Sequence, residues 1–222
     1  QEQYVQGEYE NCYVMGLTRN RWLAANLRIV AIIQARMTSS RLKGKVLLPL
    51  VDKPMLAHIV DRTRAAKRVT ATVVATSTDP SDDPIEAMCR SYNIPCYRGN
   101  LNDVLERYAG AAKEHSADVI VRITGDCPLI DPAIVDAVID RYLENIEHVD
   151  YVSNMDVPTF PDGLDTEVFS MRALKRALTD AKLPSEREHV TLYMRKHMRK
   201  INLPIEGKQY GHLRWSVDYE ED

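Results

Sequence analysis

The stretch IVAIIQARMTSSRLKGKVLLPL, Ile29 to Leu50, decides how the rest of the chain is read. Its first five residues are apolar and mostly β-branched, which suits a buried strand better than a helix of that length. A polar loop follows with Arg36, Ser39, Arg41, Lys43, Gly44 and Lys45. Ile29 to Val51 holds four cationic side chains and no acidic one, in a chain whose net charge is −3. A strand emptying into a basic, hydroxyl-bearing loop is a place for phosphates. Arginine supplies planar forks, lysine a point charge, and Gly44 lets the backbone turn or approach. The loop is neither a Walker loop nor a G-x-G-x-x-G turn, because a single glycine is present. The alternative is an ordinary exposed loop with solvated charges.

Outward from this stretch, strand-like and helical patterns alternate. Strands are expected at Ala71–Thr76, Ile94–Tyr97, Asp118–Ile123, Asp150–Asn154, Lys200–Leu203 and Leu213–Val217. Helices are expected after Asp52-Lys53-Pro54, over Ile85–Tyr92, after Asn102, over Ala133–Asn145, Met171–Ala181 and Ser185–Met198. Between them, Val157 to Phe169 breaks the pattern with prolines, a glycine and acids, and reads as an excursion from the sheet. Alternation at intervals of roughly 20 to 30 residues argues for βαβ units and a mostly parallel, Rossmann-like α/β sheet. Right-handed crossovers then gather the basic loop, the Thr76–Asp83 loop, Thr124–Asp131 and the end of the last strand on one carboxyl edge, where such sheets bind ligands.

The chain's 222 residues, 45% hydrophobic and 27% charged, suit one globular α/β domain. The charge balance argues against wholesale attraction to nucleic acid or membrane, and no apolar run nears the ~20 residues a bilayer span needs. The four cysteines lack zinc-ligand spacing and read as reduced thiols of a cytoplasmic protein. Residues 1–28 read as an N-terminal extension of unknown role and 29–222 as the catalytic-type domain. The chain stops after VDYEED, where a last helix is expected.

Two acids complete the candidate centre. In RITGDCPLID, Arg122 to Asp131, Asp126 follows a buried strand and a glycine. A carboxylate there suits Mg²⁺, which takes few carboxylates plus waters and phosphates; the alternative is a turn cap. Asp218, after the final expected strand, either ligates the same ion or caps a helix.

The string QARMTSSRLKGKVL resembles the A-R-x-x-S-x-R-L-P-G-K-x-L signature of the sugar-acid cytidylyltransferases, which make CMP-activated Kdo and acylneuraminates. Its nearest likeness is to the spore coat polysaccharide branch, with Lys43 at the usual proline position. TGDCP resembles the family's G-D-x-P element and VDYEED its D-x-x-E-D ending. The resemblance spans about Ile29 to Asp222 and implies a fold of the nucleotide-diphospho-sugar transferase type. It implies CTP as donor, a sugar or sugar acid as acceptor, and surface polysaccharide synthesis. Arg36, Ser39, Arg41, Lys45 and Arg122 are then assigned to the nucleotide, with Arg36, Lys45 and Asp126 as the catalytic set and Asp126 and Asp218 on Mg²⁺. PDGLDTEVF, SEREHVT and RGNLNDVLERY also resemble that branch. They place Asp162, Asp165, Glu167, Arg187, His189, Asp103 and Arg107 on the substrate side, although salt-bridged helix starts and core packing explain several of them as well. The resemblance also implies a homodimer through Val157–Phe169. Two other readings remain: a glycosyltransferase of similar fold using a nucleotide sugar, and a non-catalytic nucleotide-binding module.

Overall fold

In the computed structural model of the chain, the IVAII run lies at the heart of a seven-stranded sheet. The structure describes residues 2–5, 8–11 and 19–222; the rest of the 1–28 extension, Cys12 included, lies outside the described residues. The described extension comprises the antiparallel pair β1 (Glu2–Val5) and β2 (Glu8–Asn11), then helix α1 (Arg19–Asn26); Leu23 on that helix and Leu27 just after it pack against the core.

Strand β3 (Ile29–Gln34) is buried from Ile29 to Ile33. The basic loop runs into a short 3-10 turn, Lys45–Leu47, and the two-residue strands β4 (Pro49–Leu50) and β5 (Lys53–Pro54). Then come α2 (Met55–Arg64), β6 (Ala71–Ser77), α3 (Asp83–Ser91), β7 (Cys96–Gly99), α4 (Val104–Glu114), β8 (Val119–Thr124), α5 (Pro132–Glu144) and β9 (Tyr151–Ser153). The chain closes with β10 (Glu167–Ser170), α6 (Met171–Asp180), α7 (Pro184–Glu188), α8 (Leu192–His197) and β11 (Lys200–Asn202). Sheet order is β11-β9-β10-β8-β3-β6-β7, parallel except for β10, which runs against both neighbours.

Side chains alternate across a strand, so β3 feeds two cores. Ile29, Ala31 and Ile33 join a cluster with Leu56, Ile59 and Val138 on one face; Val30 and Ile32 join Leu105, Tyr108 and Leu174 on the other. That double burial explains why the strand is a continuous apolar run.

Three expectations are corrected. The Val157–Phe169 excursion ends inside the sheet, because Glu167 to Ser170 form β10 and Phe169 is fully buried. Leu213–Val217 forms no sheet strand; it is tied to the excursion by an isolated β-bridge between Asp162 and Arg214 and by the Ser216 hydroxyl on Asp162. The expected helix Ser185–Met198 is two helices, broken at the buried Val190, whose φ of 29° is unfavourable for a β-branched residue. Among the described residues, no helix is long and apolar enough to cross a membrane.

Candidate functional site

The basic loop is shaped by two glycines. Gly44 sits at φ 67°, a left-handed conformation, and its N–H donates to the Met37 carbonyl at 2.9 Å, closing the loop. Gly125, just past β8, presses on the end of β3 so closely that a Cβ would lie 2.6 Å from the Gln34 carbonyl oxygen. The tips of β3 and β8 thereby meet.

At that meeting the Lys45 ammonium donates to Asp126 Oδ2 at 3.2 Å, Asp218 Oδ1 at 2.8 Å and the Val217 carbonyl at 2.8 Å. All three ammonium hydrogens are thus engaged. Arg41 also reaches Asp218 Oδ1 at 2.8 Å and lies over the Tyr219 ring. Burial alone would push the Asp126 carboxyl up. Hydrogen bonds from Thr124 and Lys45, with the ammonium's charge, hold it below the usual carboxylate range. Burial likewise drives the Cys127 thiol well up, leaving it a neutral donor to Asp126 rather than a nucleophile.

Three adjoining cavities open around this point. The first, about 200 Å³, is lined by Arg36, Ser39, Arg41, Lys45, Thr124 and Asp126 among others. The second, about 180 Å³, shares Gln34 and Arg36 with it and adds Val104, Arg107 and His189. The third, about 310 Å³, shares His189 and adds Arg122, Glu167, Thr191 and Arg195. Arg107 is almost fully buried, its Nε has no hydrogen-bond partner, and burial lowers its affinity for the proton.

The other substrate-side residues hold one another. Arg122 and Glu167 stand opposite across the β8–β10 register and form a buried ion pair. Tyr151 and Thr191 hydroxyls each donate to Glu167 at 2.6 Å, and Arg122 Nε donates to Gln34 at 3.2 Å. Burial would raise the Glu167 carboxyl, yet Arg122 and these hydroxyls keep it low. Asp103 caps α4 by accepting the Glu106 N–H at 2.9 Å and pairs with Arg187, tying α7 to α4. Asp162 accepts the Ser216 hydroxyl at 3.0 Å, fastening the last segment. Asp165 is different: burial and the nearby acids Asp162, Glu167 and Asp126 raise its carboxyl to about 7.

Gln34, Thr124 and Val217, the last through its carbonyl, join the site without any signal of charge in the sequence. Only their positions at strand ends or beside a candidate acid point to them. For a divalent cation the donor chemistry fits. Two carboxylates and a carbonyl already converge on one positive atom, and Mg²⁺ takes one or two carboxylates with substrate phosphates and water. The described residues offer no cluster of three or more His, Cys, Asp or Glu for a metal, so a dedicated all-protein cage is not what the site provides.

The chain matches the family described as cytidylyltransferase over residues 30–218. It is 41% identical over 168 residues to the uncharacterized protein MJ1063 of Methanocaldococcus jannaschii, covering 76% of this chain and 67% of that one. It is 36% identical over 203 residues to the spore coat polysaccharide biosynthesis protein SpsF of Bacillus subtilis, covering 87% and 82%. A 3-deoxy-manno-octulosonate cytidylyltransferase of Solibacter usitatus is 35% identical over 114 residues, half of this chain and 44% of its own. Among solved structures, a cytidylyltransferase from Leptospira borgpetersenii superposes with a TM-score of 0.83 at 34% identity, covering 87% of this chain and 82% of that one.

Proposed function

The chain belongs to the cytidylyltransferase family, and from that membership we propose that it moves CMP from CTP to a sugar or sugar acid, with release of pyrophosphate, for surface polysaccharide synthesis. The observation that carries the site is the convergence of Lys45, Asp126 and Asp218 beside a cavity lined by Arg36, Ser39 and Arg41.

Arg36, Ser39 and Arg41 bind the triphosphate, joined by Lys45 when its ammonium turns a hydrogen from Asp126 or Asp218 to a phosphate oxygen. Arg122 serves the nucleotide indirectly, by holding Gln34 at the rim of the first two cavities. His189, between the second and third cavities, faces the acceptor with Arg107 and Asp165. Glu167, Asp103 and Arg187 shape that side by fixing the segments that carry Thr191 and His189, and Asp162, through Ser216, fixes the segment that carries Asp218. Asp126 and Asp218 would hold Mg²⁺, which when bound neutralises phosphate charge. The acceptor hydroxyl gives its proton to solvent as its oxygen bonds to the α-phosphorus, and the bond to the departing pyrophosphate oxygen breaks. The protein's part is positioning and charge compensation. CTP as substrate and the free thiols of Cys89, Cys96 and Cys127 favour a cytoplasmic location.

Pyrophosphate release from CTP tests this, with 3-deoxy-manno-octulosonate and neutral sugars as acceptors. Asp126→Asn is expected to lower turnover about 100-fold or more. Turnover within a few-fold of wild type, or release of CDP instead of pyrophosphate, rejects the assignment.

A further inference from the structure

The peptide of Met37 sits between Arg36 and Ser39, in the loop assigned above to the triphosphate, and it is gripped from both sides. Its carbonyl accepts the Gly44 N–H; its own N–H donates to Asp82 Oδ1 at 2.7 Å. Asp82 lies 45 residues further along, in the turn after β6, and is fully buried. Its other oxygen accepts the Ser77 N–H at 3.2 Å and the Ser77 hydroxyl. Every donor here is neutral, and among the described residues Asp82 makes no ion pair.

A buried carboxylate without a paired cation is expensive to keep. It is also wrongly charged for its place, since an anion behind a phosphate loop repels the ligand. The buried Arg107 guanidinium feels this charge, but it forms no ion pair or hydrogen bond with Asp82, so that attraction sets no contact and the direct hydrogen bonds carry the geometry. Three lone-pair directions of one rigid group bind the end of β6 to the backbone of the loop. We propose that Asp82 is a positioning residue that holds the loop in its triphosphate-binding shape by fixing the Met37 peptide. This rests on the triphosphate reading of Arg36–Lys45.

The two explanations differ in sign. If charge alone mattered, Asp82→Asn would tighten CTP. An amide has one acceptor oxygen: turned to Ser77 it sets its own N–H groups against the Met37 N–H, and turned to Met37 it leaves the Ser77 N–H without its acceptor, so in either rotamer the tie between the end of β6 and the loop is broken. Calorimetric titration of CTP into Asp82→Asn is expected to show binding weakened about tenfold or more. Ser77→Ala removes a hydrogen bond to the same carboxylate and leaves Met37 alone; it is expected to lower the melting temperature while CTP affinity stays within about twofold. Wild-type or tighter affinity in Asp82→Asn overturns the proposal, as does an equal loss in Ser77→Ala. Lys45→Ala separates the two readings: unchanged CTP affinity there means that the triphosphate assignment has failed, whatever Asp82 does. Should Asp82→Asn not fold, amide exchange in the CTP-free wild type decides. The Met37 N–H is expected to be protected relative to Thr38 and Ser39; exchange as fast as theirs overturns the anchor.

Discussion

Lys45 is cationic, almost fully buried and committed to three oxygens, which makes it the residue on which the site turns. Lys45→Ala leaves two carboxylates facing each other across a gap. In chelator it is expected to lose about 3 kcal/mol of stability, read from urea denaturation. Mg²⁺ should restore part of that loss, because a divalent ion suits the same oxygens; a variant indifferent to Mg²⁺ would mean the two acids do not share a cation. Asp165 gives a second test, in the metal-free protein. Its carboxyl titrates near 7 when folded and near the ordinary 3.8 when unfolded, so between those values the unfolded chain releases the proton first. Stability from this group is therefore full below about pH 4 and lost by pH 7. Asp165→Asn is expected to melt above wild type at pH 8, by roughly 2–4 °C for each kcal/mol relieved, with the gap closing by pH 4. A gap that does not change with pH contradicts the raised carboxyl.

At the scale of elements, the strands buried on both faces were legible because their apolar runs have no other explanation, as in β3. The invisible element was β10. Its Glu167 reads as a loop acid, and only the register against Arg122 shows that it is buried and paired. The same holds for the break at Val190, which no glycine or proline announces. Asp218 reads as following a strand, but the segment before it is held by Asp162 and Lys45 rather than by a sheet. Glu167→Gln is expected to cost about 3 kcal/mol in urea denaturation, since it strands the Arg122 charge. Gly125→Ala pushes β8 off the Gln34 carbonyl, and it should reduce both stability and CTP turnover. Full activity in Gly125→Ala would show that the contact between the β3 and β8 tips is unimportant.

Over the whole molecule, topology does what no local pattern can. Crossovers in a sheet ordered β11-β9-β10-β8-β3-β6-β7 bring residues 45, 126 and 218 within one ammonium's reach, although 173 positions separate the first from the last. Composition and position made the basic loop and Asp126 candidates, and only the family resemblance gave them their expected roles. Lys45's choice of acids over open solvent, and the service of Gln34, Thr124 and Asp82, could not be picked out, because uncharged strand-end residues and turn acids look alike in any sequence. The central claim is that these distant residues make one site for a cation and a triphosphate. Titration of CTP into wild type, Asp126→Asn and Asp218→Asn, each with and without Mg²⁺, tests it most directly. Wild type is expected to bind CTP more tightly with Mg²⁺ and each variant to lose that gain; Mg²⁺ strengthening CTP binding equally in all three would contradict it.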